Sequence, residues 1–263
     1  MKKNLIFGSV IVSMFATFLF ASSSLPVMAA SLSAATPELT NIKQVDVSDK
    51  VLVVNNPILG SASNRMAASV ASAVAMVTIF ADPINGGAGG SGGDGSSNYG
   101  THAFITVKNM SQSNINIGKF SGVLPGKTMS IGGWGNKSEH IGLWYNLESY
   151  SIYYNSSFPG RVSASYLVTA AQLNTLNSYI INNDRWSLLP INYNCSSFAA
   201  GAWNSFVDSS YRLSAGVLNT PRNLSNSIKA KFPGAPIGGA VPYDYLVYFA
   251  NGTGSPVRSS IYR

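Results

Sequence analysis

The chain has 263 residues, a formal net charge of +7 and only 10% charged residues, so its polar surface must be built mainly from Ser, Asn, Thr, Gly and Tyr. Lys and Arg are scattered and form no run, which argues against a nucleic-acid partner and fits work near an anionic wall or membrane surface. A single cysteine, Cys195, rules out an internal disulfide; with two widely separated histidines it supplies too few nitrogen and sulfur ligands for a metal centre, and no cofactor is expected.

The N-terminus reads as a secretory signal. Met1-Lys2-Lys3-Asn4 is positive, residues 5–20 are mostly apolar, and Val27 and Ala29 are small residues at the two positions a signal peptidase reads. The apolar run is short for a membrane span, which needs about 20 such residues. The expectation is cleavage after Ala29, export to the outside or the wall of a bacterial cell, and no stable membrane insertion afterwards. Residues 30–45 read as a spacer and 46–263 as a single α+β domain.

Residues 51–54 form a candidate strand. The Ala, Met and Val of 65–77 predict a short helix, and 77–81 a strand ending at Asp82-Pro83. The Gly-rich stretch 86–97 reads as a flexible loop. It lacks the Gly-Lys-Ser/Thr ending of a phosphate-binding loop. The β-branched and aromatic residues after His102 predict a strand. Further short strands are expected at 115–120, 128–131, 142–148 and 150–154, joined by Gly-, Asn-, Ser- and Pro-containing turns as an antiparallel meander.

The pattern turns helical after Pro159. Thr169 and Gln172 form a capping box, with Leu173, Leu176 and Ile180 at helical spacing behind it and an end near Asn182-Asn183. A second helix should start near Cys195, because Cys195, Phe198, Ala199, Ala202 and Phe206 share one face. A third follows Thr220-Pro221. Residues 242–248 read as a closing strand. Strands in one block and helices in another point to an α+β fold.

Chemistry concentrates on Cys195. Asn194 is a good N-cap, so Cys195 falls in a first helical turn, where free N–H groups and the helix dipole stabilise a thiolate and can hold an oxyanion. A thiolate nucleophile needs a proton carrier. His102 opens a strand between Gly100 and the small Ala103, whereas His140 lies in a polar Lys-Ser-Glu-His stretch that reads as a surface turn. A third residue would orient the imidazole. Glu148, a rare acid in an uncharged strand, and Asn116 are both candidates. The plain alternative is that Cys195 is a core residue on the apolar face of its helix.

The Gly-x-His-Ala-Phe-Ile strand followed by an Asn-Cys-Ser-Ser-Phe helix resembles the NlpC/P60 superfamily of papain-like cysteine hydrolases. More closely it looks like the circularly permuted branch that includes the lecithin retinol acyltransferase-like proteins, in which His precedes Cys. The resemblance covers roughly residues 75–230. It implies a papain-like antiparallel sheet packed against helices, with Cys195 as nucleophile and His102 as base. The third residue is expected on a strand between them, where Glu148 and Asn116 both lie. The Gly-rich insertion before His102 departs from the family pattern. The resemblance further implies cleavage or transfer of acyl groups at amide or ester bonds, with cell-wall (peptidoglycan) peptides as the fitting substrates of an exported, mildly basic chain. No wall-binding repeat is visible. The second reading, from another class, is a secreted binding protein on the same scaffold with a dead site.

Overall fold

A computed structural model describes residues 52–54, 73–84, 101–187 and 193–263. The signal segment, the spacer, most of the expected helix at 65–77 and the Gly-rich stretch 86–97 lie outside the described residues. The fold is α+β: four helices packed with a seven-stranded antiparallel sheet.

The strands of that sheet are β1 (Ala73–Asp82), β2 (His102–Asn109), β5 (Thr128–Trp134), β6 (Gly142–Tyr145), β7 (Val162–Thr169), β8 (Tyr248–Asn251) and β9 (Gly254–Arg258), in the order β7-β1-β2-β5-β6-β8-β9. β3 (Ile115–Ile117) and β4 (Phe120–Val123) form a separate hairpin between β2 and β5. From β2 outward through β5, β6, β8 and β9 the sheet is the expected meander; β7 departs from it by returning to the other side of β1.

β1 corrects the helix expected up to Val77, because residues 73–77 are already strand. β1 is paired on both edges, by β7 and β2, and Ala75, Val77, Ile79 and Phe80 are all but inaccessible to solvent. A central strand covered on both faces reads as an unbroken apolar run, which periodicity alone cannot tell from a buried helix. Residues 52–54 make only a short parallel contact, Val53 with Ser165, at the β7 edge.

The two faces are covered differently. On one, α2 (Ala170–Asn182), α3 (Cys195–Phe206) and α4 (Pro221–Lys231) bury Leu176, Ile180, Ala199, Trp203, Leu224 and Ile228 against Ala103, Ile105 and Val107. Their starts follow the sequence: the Thr169–Gln172 capping box opens α2, and Thr220 with Pro221 opens α4. On the other face, α1 (Leu147–Asn155) and the segment before β8 pack Leu147, Tyr243 and Val247 against Phe80, Phe104 and Trp144.

α1 is the second correction. The strands expected at 142–148 and 150–154 become β6, ending at Tyr145, and then a helix. Aromatic Tyr150, Tyr153 and Tyr154 favour strand locally, but tertiary context decides. Asn146 takes the left-handed conformation (φ 66°), which Asn tolerates well, and breaks the strand. Its N–H donates to the Ser130 carbonyl (2.8 Å) and its Oδ1 accepts from Ser130 N–H (3.2 Å), so β5 fixes the bend. The closing strand expected at 242–248 is likewise displaced: strand pairing begins at Tyr248, and β8 and β9 form a terminal hairpin.

Candidate active site

α3 begins at Cys195 because Asn194 caps it. Asn194 is extended (φ −90°, ψ 179°), and its Oδ1 accepts from the N–H groups of Ser196 (3.1 Å) and Ser197 (2.9 Å). Its Nδ2 donates to the Asn219 carbonyl at 2.8 Å, tying the cap to the turn before α4. The cap consumes two of the first-turn donors expected to face an oxyanion, so the N–H of Cys195 itself is the donor that remains there.

Cys195 is partly buried, and its sulfur lies close enough to the His102 imidazole and the Ala103 N–H for both to act on its titration, with the Ser196 hydroxyl 3.8 Å away. The meeting is possible because the sheet opens here. β2 and β5 pair from Lys108↔Thr128 to Ile105↔Ile131 and no further, so the N–H of Ala103 has no β5 partner. Cys195 approaches from the α3 face, while His102, alternating with Ala103, belongs to the α1 face with Phe104. The thiol and imidazole therefore meet at the split between two strands.

His102 is 3% exposed, and its Nε2 lies 3.0 Å from Glu148 Oε1, which leaves Nδ1 for the thiol. Its ring packs on Trp134 (centroids 4.1 Å apart) and Phe158 (5.3 Å). Glu148 is fully buried in the first turn of α1. It accepts from Trp134 Nε1 at 2.7 Å through Oε1 and from Ser130 Oγ at 3.0 Å through Oε2. Glu148 lies on a helix and not on the expected strand, and the bend at Asn146 carries it back over β5 to His102.

Two glycines make room for this. A Cβ on Gly132 would stand 2.0 Å from Glu148 Oε1 and 3.0 Å from His102 Nε2, and one on Gly135 would stand 2.1 Å from the Trp186 ring. Gly133 between them lies within ordinary contact range of Trp186 and Cys195, so Trp186 sits beside Cys195.

The electrostatics follow from the contacts. Burial pushes the His102 pKa down, but the hydrogen bonds and charges of Cys195 and Glu148 outweigh it and lift the imidazole to about 9. Burial pushes the Cys195 thiol up, but the hydrogen bond and positive charge of His102 win, helped by the Ala103 N–H and the Ser196 hydroxyl, and its pKa falls below the ordinary value. The arrangement favours a thiolate–imidazolium pair, with the Glu148 carboxylate behind the cation.

The other candidates lie elsewhere. Asn116 is exposed on β3, where its Oδ1 accepts from Gly122 N–H at 3.3 Å inside the hairpin. His140 is not in a free surface turn: it is half-buried, its Nε2 lies 2.8 Å from Asp184 Oδ1, and its ring stacks on Phe249. That pair anchors the loop bearing Trp186, since Asp184 Oδ1 also accepts from Leu143 N–H at 3.0 Å.

Sequence reasoning missed Ser130, Trp134, Trp186 and the glycines. Gly132-Gly133-Trp134-Gly135 was the available signal, because glycines inside a strand mark a close approach. It also missed Asp82, which faces His102 across the β1–β2 pair and is 1% exposed. Burial raises the Asp82 carboxyl pKa, opposed by hydrogen bonds from Ile84 and Gly160 and by the charges of Arg161 and His102.

Among the described residues there is no group of three or more His, Cys, Asp or Glu side chains that could hold a metal ion. No helix among them is long and apolar enough to cross a membrane. Comparison with protein-family models, with curated proteins and with solved structures yields no match.

Proposed function

We propose that this chain is an exported bacterial thiol hydrolase or acyltransferase that acts on amide bonds, and on esters where the acyl group fits, with cell-wall peptides as its substrates. The observation that carries the reading is the relay Cys195–His102–Glu148: a partly buried cysteine, a buried imidazole lifted to about 9, and a fully buried carboxylate with two further donors of its own. The likeness to permuted NlpC/P60 proteins supports it, because His102 opens a strand and Cys195 opens a later helix. The secretory N-terminus and the mild positive charge support an extracellular, anionic setting.

The chemistry runs in two halves. The Cys195 thiolate attacks the acyl carbon and forms the carbon–sulfur bond, and the carbonyl electron pair moves to oxygen. The Cys195 N–H and the positive end of α3 face that developing oxyanion. As the carbonyl re-forms, the carbon–nitrogen bond breaks, and His102 gives its proton to the leaving amine. A thioester remains. His102, now neutral, takes a proton from water or from an acceptor hydroxyl or amine. The new nucleophile attacks, and the thiolate departs to rejoin the imidazolium. Glu148 holds the ring through Nε2 and stabilises its charged form throughout.

The test is incubation of the protein, lacking residues 1–29, with purified cell wall, peptide amides and acyl esters, with products read by mass spectrometry. New amine and carboxyl ends, absent with Cys195→Ala, are expected. Absence of product together with an unreactive thiol would leave the dead-site binding protein instead.

A further inference from the structure

β1 brings a second carboxyl to His102. Asp82 and His102 are directly opposed in the β1–β2 ladder, and both alternate onto the α1 face with Phe80 and Phe104. Opposed residues on antiparallel strands hold their Cβ atoms about 4.5–5.5 Å apart. The Asp82 carboxyl therefore stands beside the imidazole from β1, while Glu148 reaches it over β5, on the other side of β2. Asp82 is 1% exposed. Its Oδ1 accepts from Ile84 N–H at 2.8 Å and closes the turn at Pro83, whereas its Oδ2 has no hydrogen-bond partner. The turn thus uses one oxygen and explains neither the burial nor the charge.

The segment before β7 closes over the same place. Phe158 is left-handed (φ 57°), a conformation bulky residues rarely adopt, and its ring packs on His102 with centroids 5.3 Å apart. Its carbonyl accepts from Arg161 Nη1 at 3.0 Å, and the Gly239 carbonyl accepts from Nη2 at 2.6 Å. The guanidinium is thereby held in the interior, where its charge acts on Asp82. Charge alternates along the series Glu148, His102, Asp82 and Arg161. Cys195, from α3, is the remaining titratable group on the ring; Lys137, after β5, places its ammonium over the Trp134 ring, 4.6 Å from the centroid. We infer that Asp82 is a second positioning acid of this site, whose carboxylate holds the charged form of His102 from the β1 side as Glu148 does from the β5 side. The coupling is reciprocal: the charge of His102 favours the ionised Asp82 carboxyl. The effect on turnover rests on the proposed thiol chemistry, whereas the hold on His102 does not.

The experiment is an NMR titration of the His102 ring in the protein lacking residues 1–29. It is made in Cys195→Ala, so that no thiol titrates against the imidazole. The chain has two histidines, and the ring signal lost on adding His102→Ala is that of His102. Adding Asp82→Asn should lower the His102 pKa by about 1 unit, the low end for an opposite charge within about 4–6 Å. Asn keeps an oxygen for the Ile84 N–H, so melting should show a folded protein; Asp82→Ser, which also keeps an acceptor and removes the charge, gives the same reading should the Asn variant not fold. With Cys195 present, Asp82→Asn should move the alkaline limb of kcat down by the same amount and leave KM in place. A His102 pKa that does not move overturns the inference and leaves Asp82 as a turn former. An active enzyme whose alkaline limb does not move overturns the role in turnover. A protein that gives no product, yet whose His102 pKa falls in the Asn variant, would refute the thiol chemistry and uphold the inference.

Discussion

Replacing Glu148 by Gln separates charge from geometry at the site. The Gln carbonyl can still accept from Trp134 Nε1 and His102 Nε2, which both address Oε1, while its amide faces the Ser130 hydroxyl in place of Oε2. The fold should therefore survive. What is lost is the negative charge 3.0 Å from the imidazole. Because the hydrogen bond itself is kept, the loss is roughly the difference between a charged and a neutral acceptor, about 1–1.5 kcal/mol, so the His102 pKa should fall by about 1 unit. That takes it from about 9 to roughly 8, with Cys195 still raising it. The sign is fixed by which form is stabilised: the carboxylate favours imidazolium, so its removal lets the proton leave at lower pH. The alkaline limb of turnover against pH should move down accordingly. At pH 8 the protonated fraction, and with it kcat, should fall about twofold, while at pH 6 kcat should change little. Asn116→Ala should leave both limb and rate untouched, since Asn116 is exposed on the distant hairpin of β3 and β4. An alkaline limb that stays near 9 in Glu148→Gln, or one that moves in Asn116→Ala, would refute the reasoning.

Wild-type Cys195, the one thiol in the chain, should alkylate with iodoacetamide at lower pH than an ordinary thiol, because its pKa is lowered; the rate should drop as pH falls through that lowered value. In His102→Ala the same titration should shift above 9, where burial alone would put the thiol, and an unchanged profile would disprove the pairing. Gly132→Ala forces a methyl to 2.0 Å from Glu148 Oε1; it should lower Tm, at an overpacking cost of about 1–3 kcal/mol, and abolish turnover, whereas an active variant would show that the site is looser than described. Asn194→Ala removes the α3 cap and should cost about 1 kcal/mol. By calorimetry that is roughly 2–4 °C in Tm for a chain of this size, and the Cys195 pKa should not fall.

Local signals in the sequence were reliable where the chemistry was local. The Thr169–Gln172 capping box, the Asn194 cap and Pro221 at a helix start each depend on residues within one turn, and each stands as read. Misreadings came where distant packing overrides local preference. The first residues of β1, 73–77, looked helical because both faces and both edges of the strand are covered, whereas 77–81 read as strand. α1 looked like strand because Tyr and Ile favour strands, but the left-handed turn at Asn146 and the hydrogen bonds to Ser130 bend the chain into a helix. Glu148 stood out in sequence as a scarce acid, yet its link to His102 depends on that bend, which no spacing rule contains. Trp134 and Ser130 were invisible for the same reason: both serve Glu148, and Trp134 also packs on the His102 ring, partners distant from them in sequence and adjacent in space.

Burial makes the strongest case that the site is built and not incidental. A lone cysteine beside an unrelated histidine needs no carboxylate, and a carboxylate without solvent is costly unless donors replace the water it loses. Glu148 is fully buried, and its two oxygens receive Trp134 Nε1, Ser130 Oγ and His102 Nε2. Ser130 lies on β5, as does Trp134, and Gly132 between them lacks the side chain that would occupy the carboxylate's place. One strand thus supplies two donors and a vacancy for a single acid, while its divergence from β2 leaves the Ala103 N–H free to serve the sulfur. Removing any one of these features would leave a buried charge short of a partner or a thiol out of reach. A core packed only for stability would fill that space with apolar side chains at lower cost, so the arrangement is one that holds charge at His102, as the proposed acyl transfer through Cys195 would require.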